Sequence, residues 1–335
     1  MAATPADTLV EPPPASTGAP ARVMPIGAPF FALRFGAGPA TGDAAIVAVP
    51  VTALDGAASW TVLGGRPAKR AGCAADVGSL ATVDHLVLHT RTALTGGADI
   101  AAAACAVYCD LLTRARELGY PHLVRIWNFV PDINAGAGDA EAYVRFNRGR
   151  MAAFDRLGVA PAHYPAATGV GGPPGSPLTV VVAASRVEPV SLENPRQTAA
   201  YRYPRRYGPR APAFARAMLL PDRDGATLFI SGTASIVGHE SRHDAVELQV
   251  EETLANLAQI VAGAAAQRPG LAQARRRWQV YLRDPADLAV VERAVHRQLG
   301  GDAVAYLRAD ICRRELLVEI EGVCHLTGAG APPDV

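Results

Sequence analysis

The sequence predicts an α/β protein built from two similar halves. Three features carry that reading. Alternating apolar and polar runs mark half-buried strands, apolar residues at helical spacing lie between them, and the same element order returns later in the chain. At 335 residues the chain can bury a large core, and that length favours two domains or two halves.

Residues 1–25 are rich in Pro, Ala and Thr and read as a disordered leader, without the basic start and apolar stretch of a signal peptide. The first half is expected over 26–190. Its opening, about 30–89, is strand-rich, with the runs Ala-Ile-Val-Ala-Val-Pro-Val and Asp84-His85-Leu86-Val87-Leu88-His89. A helix over 99–118 follows, stopped by Gly119, Tyr120 and Pro121. Then come a strand over 122–134, a helix over 140–157, a Gly-Pro loop over 168–177 (TGVGGPPGSP) and an apolar strand over 178–184.

The second half, 191–335, repeats the order: a strand over 226–237, a helix over about 244–266, a strand over 278–282, a helix over 287–299, and strands at about 305–312 and 316–324. Asp244 and Glu247 have capping-box spacing at the start of its first helix. Arg125-Ile126-Trp127-Asn128 occupies the place that Trp278-Gln279-Val280-Tyr281 takes later, as a diverged duplication would have it.

Hydrophobic residues make up 50% of the chain and charged ones 19%, the balance of a globular protein. A formal net charge of +1 gives no electrostatic reason to expect nucleic acid or an anionic membrane as partner. The apolar stretch around 98–112 is too short to span a bilayer. Lys69 is the only lysine; every other cation is arginine, the better fork for a carboxylate. Cys73, Cys105, Cys109, Cys312 and Cys324 are odd in number and lack CxxC spacing, which argues against a disulfide framework or structural zinc and for a reducing, cytoplasmic setting.

His239-Glu240-Ser241-Arg242-His243 matches H-E-x-x-H, but zinc chemistry needs both histidines on one helical face. Here the motif falls between a strand and a helix start, so no metal is expected. The glycines of 168–175 lack G-x-G-x-x-G spacing and precede a strand instead of following one, so a flexible connection is the simpler reading. Cys105 and Cys109, four apart on an apolar helix face, read as core packing.

Phe229-Ile230-Ser231-Gly232, the helix segment EETLANL (251–257), Val280-Tyr281-Leu282 and Val318-Glu319-Ile320-Glu321 give the second half a resemblance to the RidA-like fold. That fold packs helices on one face of a mixed sheet and places ligands between neighbouring units. Five blocks carry a closer likeness: RIWNFVPDIN (125–134), PAATGVGG (165–172), ENPRQTAAYRYPRRYGPRAPAFARA (193–217), FISGTASIVGH (229–239) and LLVEIEG (316–322). Together they resemble the chorismatase family over most of the chain. The resemblance implies cleavage of chorismate to pyruvate plus a hydroxybenzoate or a dihydroxycyclohexadiene carboxylate. No cofactor is implied, because protonating an enol ether needs none.

Strand alternation puts Glu319 and Glu321 on one face and Val318 and Ile320 on the other. A carboxyl in such surroundings has a raised pKa and can stay protonated near neutrality. The resemblance assigns Glu319 the role of general acid; the plain alternative is a carboxylate paired with arginine. It also links a cysteine at the place of Cys312 with the 3-hydroxybenzoate branch, where the substrate's own ring hydroxyl attacks and the thiol assists aromatisation. A small buried hydrophobe is the ordinary reading of such a cysteine.

Binding the two carboxylates of chorismate calls for arginines and hydroxyls. Tyr201, Tyr207 and Arg216 are expected from the Arg/Tyr-rich segment 196–216, with Arg148 and Arg125 from the first half. Arg125 could equally be a structural ion pair. Gly232 and Ala234 are expected to let the backbone approach the substrate. Chorismate hydrolysis, imine deamination and non-catalytic binding of a small acid are the competing functions. A duplicated chain can internalise contacts that single units make as trimers, which leaves monomer and oligomer both open.

Overall fold

The computed structural model describes residues 29–36, 46–57, 59–64, 77–222 and 225–327; the expected leader, Lys69 and Cys73 lie outside them. In the first half the chain forms β1 (Val77–Ala81), β2 (His85–Thr92), α1 (Ile100–Glu117), β3 (His122–Pro131), α2 (Ala142–Arg156), β4 (Ala166–Gly172) and β5 (Leu178–Ser185). The second half forms β6 (Ala217–Asp222), β7 (Gly225–Ala234), α3 (Val246–Gln267), β8 (Arg275–Leu282), α4 (Leu288–Leu299), β9 (Ala303–Arg308) and β10 (Val318–Thr327).

The two sheets run β1-β2-β5-β3-β4 and β6-β7-β10-β8-β9, and the halves match element for element. In each, the last pair is parallel (β3 with β4, β8 with β9) and the other pairs of this series are antiparallel. Two short strands stitch the halves together. Asp310–Ile311 leaves the second half to pair with β4, and Thr52–Ala53 pairs with β9. Val190–Leu192 extends the second sheet beside β6, and a three-stranded sheet (Pro29–Phe35, Ile46–Val49, Ser59–Gly64) lies against the core.

Helix α1 starts where Asp99 accepts a hydrogen bond from the Ala101 amide at 2.9 Å, an N-cap that meets one of the free donors of the first turn. Its buried residues Ile100, Ala104, Tyr108, Leu111 and Ala115 recur at helical spacing and face the first sheet with those of α2. Helices α3 and α4 cover the second sheet in the same way, through Val250, Leu254, Leu257, Val291 and Val295. The opposite faces of the sheets meet each other. Trp127, Phe129 and Val181 pack there against Met218, Phe229, Tyr281 and Leu307, with Phe31 and Leu33 of the small sheet at the same core. Burying Phe129 and Phe229 there contributes about 1.5–3 kcal/mol each.

Two expectations are corrected. The Gly-Pro loop is in part a strand: 166–172 forms β4, because Asp310–Ile311 passes so close that a side chain at Gly171 would strike the Asp310 Cβ at 2.8 Å. The capping box at Asp244 is absent; α3 begins at Val246 with Ala245 at the cap position and no side-chain cap bond. Among the described residues no helix is long and apolar enough to cross a membrane.

Candidate active site

Val318 and Ile320 enter the helix-covered core of the second half, while Glu319 and Glu321 turn into the space between the sheets. Their surroundings there differ. Glu321 accepts hydrogen bonds from Arg125 Nη2 at 2.8 Å, Trp127 Nε1 at 2.9 Å and Gln279 Nε2. Glu319, 4% exposed, borders a cleft of about 320 Å³ that opens between the halves. Its carboxyl is pushed up to about 8, first by burial and then by the neighbouring Glu321 charge, against the opposing pull of Arg125 and Arg216.

Strand β7 makes the room for Glu319. Its pairing with β10 slips by one residue between Ile230 and Thr233, a bulge that sets Gly232 beside the acid. A methyl group at Gly232 would overlap Oε1 of Glu319, so only glycine leaves the carboxyl where it rests. Ala234, the cross-strand partner of Glu319, also lines the cleft.

Cys312 arrives from the other side. The short strand Asp310–Ile311 joins the first sheet, and Arg283 fixes the chain after it by donating to the carbonyls of Ile311, Arg313 and Leu316 at 3.1, 2.9 and 2.9 Å. The Cys312 thiol is pushed up to about 12, chiefly by burial and next by Glu319, so it stays protonated as a donor and weak acid instead of a thiolate nucleophile.

Arg216 supplies the buried positive charge. It is 2% exposed, lines the cleft, and donates through Nη2 to the Thr198 carbonyl at 2.9 Å and the Tyr203 hydroxyl at 2.7 Å. Its Nε has no hydrogen-bond partner among the described residues. The segment 193–216 that carries it, here termed the strap, is tied down by Asn194 on the Asn256 carbonyl, Gln197 on the Ile236 carbonyl and Arg196 on Glu252. Arg313 then stacks on Tyr207 with its guanidinium carbon 4.0 Å from the ring centroid.

The structure thus brings Glu319, Cys312, Arg216, Tyr207, Gly232 and Ala234 to one cleft. Three expected contacts lie elsewhere. Arg148 is on the exposed face of α2; the arginine buried two residues on is Arg150, whose Nη2 donates to Asn147 at 2.6 Å. Tyr201 packs edge-on against Tyr164, 5.7 Å between centroids, at the core of the first half. Arg125 is 1% exposed and pairs with Glu321 behind the cleft wall, the structural ion pair weighed from the sequence. Gly232 is corrected in its reason, since the space it leaves is taken by Glu319.

Sequence reasoning missed Tyr143, Tyr203 and Arg313, which also line the cleft. Tyr143, Asn147 and Arg150 lie at helical spacing on one face of α2, and that spacing was the available signal. The H-E-x-x-H run lies in a hairpin, Ile236–Val237 against Glu240–Ser241, and not a helix; His239 packs edge-on against Tyr207 with centroids 5.8 Å apart.

Residues 65–184 match the family described as chorismatase FkbO/Hyg5-like, N-terminal. The chain is 42% identical over 240 residues to a chorismatase of Streptomyces rapamycinicus, covering 68% of this chain and 71% of the relative. It is 40% identical over 233 residues to a 3-hydroxybenzoate synthase of Streptomyces hygroscopicus, covering 66% and 68%. A crystal structure of a chorismatase superposes with a TM-score of 0.78 at 36% identity, covering 88% of this chain and 92% of that one.

Proposed function

The chain belongs to the chorismatase family, and from that membership we propose that it cleaves the enolpyruvyl ether of chorismate to pyruvate and 3-hydroxybenzoate, with Glu319 as general acid. One observation carries the reading: a buried carboxyl raised to about 8 shares a cleft with the buried Arg216 guanidinium. A protonated acid beside a cation suits an anionic enol ether, which must be held by its carboxylate while its methylene is protonated.

Glu319 gives its proton to the terminal methylene, and the adjoining carbon takes up the positive charge. The ring hydroxyl next to the ether attacks the ether-bearing ring carbon. The ring carbon–oxygen bond breaks toward the side chain, which leaves as pyruvate, and the hydroxyl proton returns to the Glu319 carboxylate. The neutral Cys312 thiol then protonates the bridging oxygen as its bond to the former hydroxyl carbon breaks, and the thiolate takes the proton from the former ether carbon, which gives the phenol and restores the thiol. Atoms balance without water, metal or redox partner, whereas the non-aromatic diol requires one water.

The free thiols of Cys105, Cys109, Cys312 and Cys324 suit a reducing cytosol. Purified protein with chorismate and no added cofactor should yield pyruvate and 3-hydroxybenzoate by liquid chromatography and mass. Cys312→Ala should keep pyruvate release but lose aromatic product by about tenfold or more. The diol from the unaltered protein would sink the role given to Cys312; unconsumed chorismate would sink the whole reading.

Glu319 must carry its proton to act. Turnover should therefore hold on the acid side and fall as pH rises through about 8. A kcat profile that falls already in the ordinary carboxylate range would remove Glu319 as the acid.

A further inference from the structure

We propose that Glu321, Arg125 and Thr168 form a positioning device for Glu319, which decides which of two neighbouring buried carboxyls keeps the proton and reaches the acid through the backbone of Gly232. The inference rests on Glu319 being the acid of the reaction.

Glu319 and Glu321 lie two residues apart on one strand face, roughly 7 Å along the chain, both nearly sealed from water. Two anions so placed in a poorly polar space repel strongly, so one of them holds a proton. The donors settle which. Arg125, Trp127 and Gln279 all point at Glu321, three donors, one of them charged, that a carboxylate anion accepts more strongly than a protonated acid. The charge goes to Glu321 and the proton to Glu319.

The same arginine reaches the cleft wall. Arg125 Nη2 also donates to the Thr168 hydroxyl, and that oxygen accepts the Gly232 amide at 3.0 Å. Gly232 is the residue against which the Glu319 carboxyl rests. Strands β3 and β4 of the first half thereby set the position of an acid carried by β10 of the second.

Stability alone does not account for the pair. Burying two charges costs much of what their attraction returns, and apolar residues of like volume often serve the fold as well or better. The groups facing Glu319 are Glu321 on its own strand, Tyr281 on β8, Arg125 on β3, Tyr143 on α2, Cys312 beyond Asp310–Ile311, and Arg216 from the strap. Of these, Glu321 favours the protonated acid, and Arg125 and Arg216 oppose it.

Infrared titration without substrate reads the device directly. The carbonyl stretch of the protonated acid is identified by its loss in Glu319→Gln. Glu321→Gln should lower the Glu319 midpoint by about one pH unit or more, and the double variant Arg125→Gln/Glu321→Gln should return most of that shift. The basic limb of kcat should move with the midpoint. Thr168→Val should lower kcat about tenfold with KM little changed, and Thr168→Ser should restore it. A midpoint unmoved by Glu321→Gln, or Thr168→Val indistinguishable from Thr168→Ser, overturns the proposal. If Glu321→Gln does not fold, the threonine pair decides. Absent turnover in the unaltered protein defeats the proposed function, while the infrared midpoints still test the charge assignment.

Discussion

Glu319→Gln should give a folded protein whose kcat on chorismate is lower by about 10²–10⁴-fold, the range lost when a positioned general acid is removed. Glutamine keeps the shape and can still donate a hydrogen bond, but it has no proton to give to carbon. Binding should survive, because Arg216 and the strap are untouched, and calorimetry at a concentration where turnover is negligible measures it. Stability supplies a second readout with a fixed sign. Burial raises the Glu319 carboxyl from 4.5 to about 8, so the folded state loses stability as pH climbs through that window. Glutamine cannot ionise. The melting temperature of the variant should gain on that of the unaltered protein from the ordinary carboxylate range up to about pH 8. A variant that turns over within tenfold of the original would falsify the assignment of Glu319.

The sequence carries the architecture where period and punctuation are strong. The helical spacing of α3 and the alternation around Glu319 say which face goes inward, and the structure follows them. What it hides depends on long-range partners. β4 reads as a loop because its glycines have no strand propensity; long-range neighbours explain them, Ile133 and Asp310 at Gly171 and Pro50 at Gly172. Arg125 and Arg148 look alike as cations, yet the pairing of β3 with β5 slips between Leu123 and Arg125, and Arg125 meets Glu321 from the opposite sheet. Arg148 faces outward, one position from Asn147 and two from Arg150, both of which are buried. One residue of helical phase separates solvent from interior, and only the packing of α2 against its neighbours fixes it.

Gly232→Ala tests how closely Glu319 must be held. The added methyl would overlap the Glu319 carboxyl on one side and lie 3.2 Å from Thr168 Cγ2 on the other. Thr168 belongs to a packed strand and yields little, so the carboxyl at the end of a flexible side chain moves instead. Folding should tolerate this at a cost of about 1–3 kcal/mol, the ordinary penalty of overpacking by one carbon. Turnover should not. A shift of the acid on the order of 1 Å is enough to cost about 10²-fold in rate. The expected result is therefore a protein with a modestly lowered melting temperature and a kcat reduced about a hundredfold. Arg216 keeps its carbonyl on the Ser231 amide of β7 while the Glu319 side chain yields, and Tyr207 lies off that strand, so KM should change far less than kcat. Equal loss in both parameters would mean that the methyl blocks the substrate, and that Gly232 serves access and not the placement of the acid.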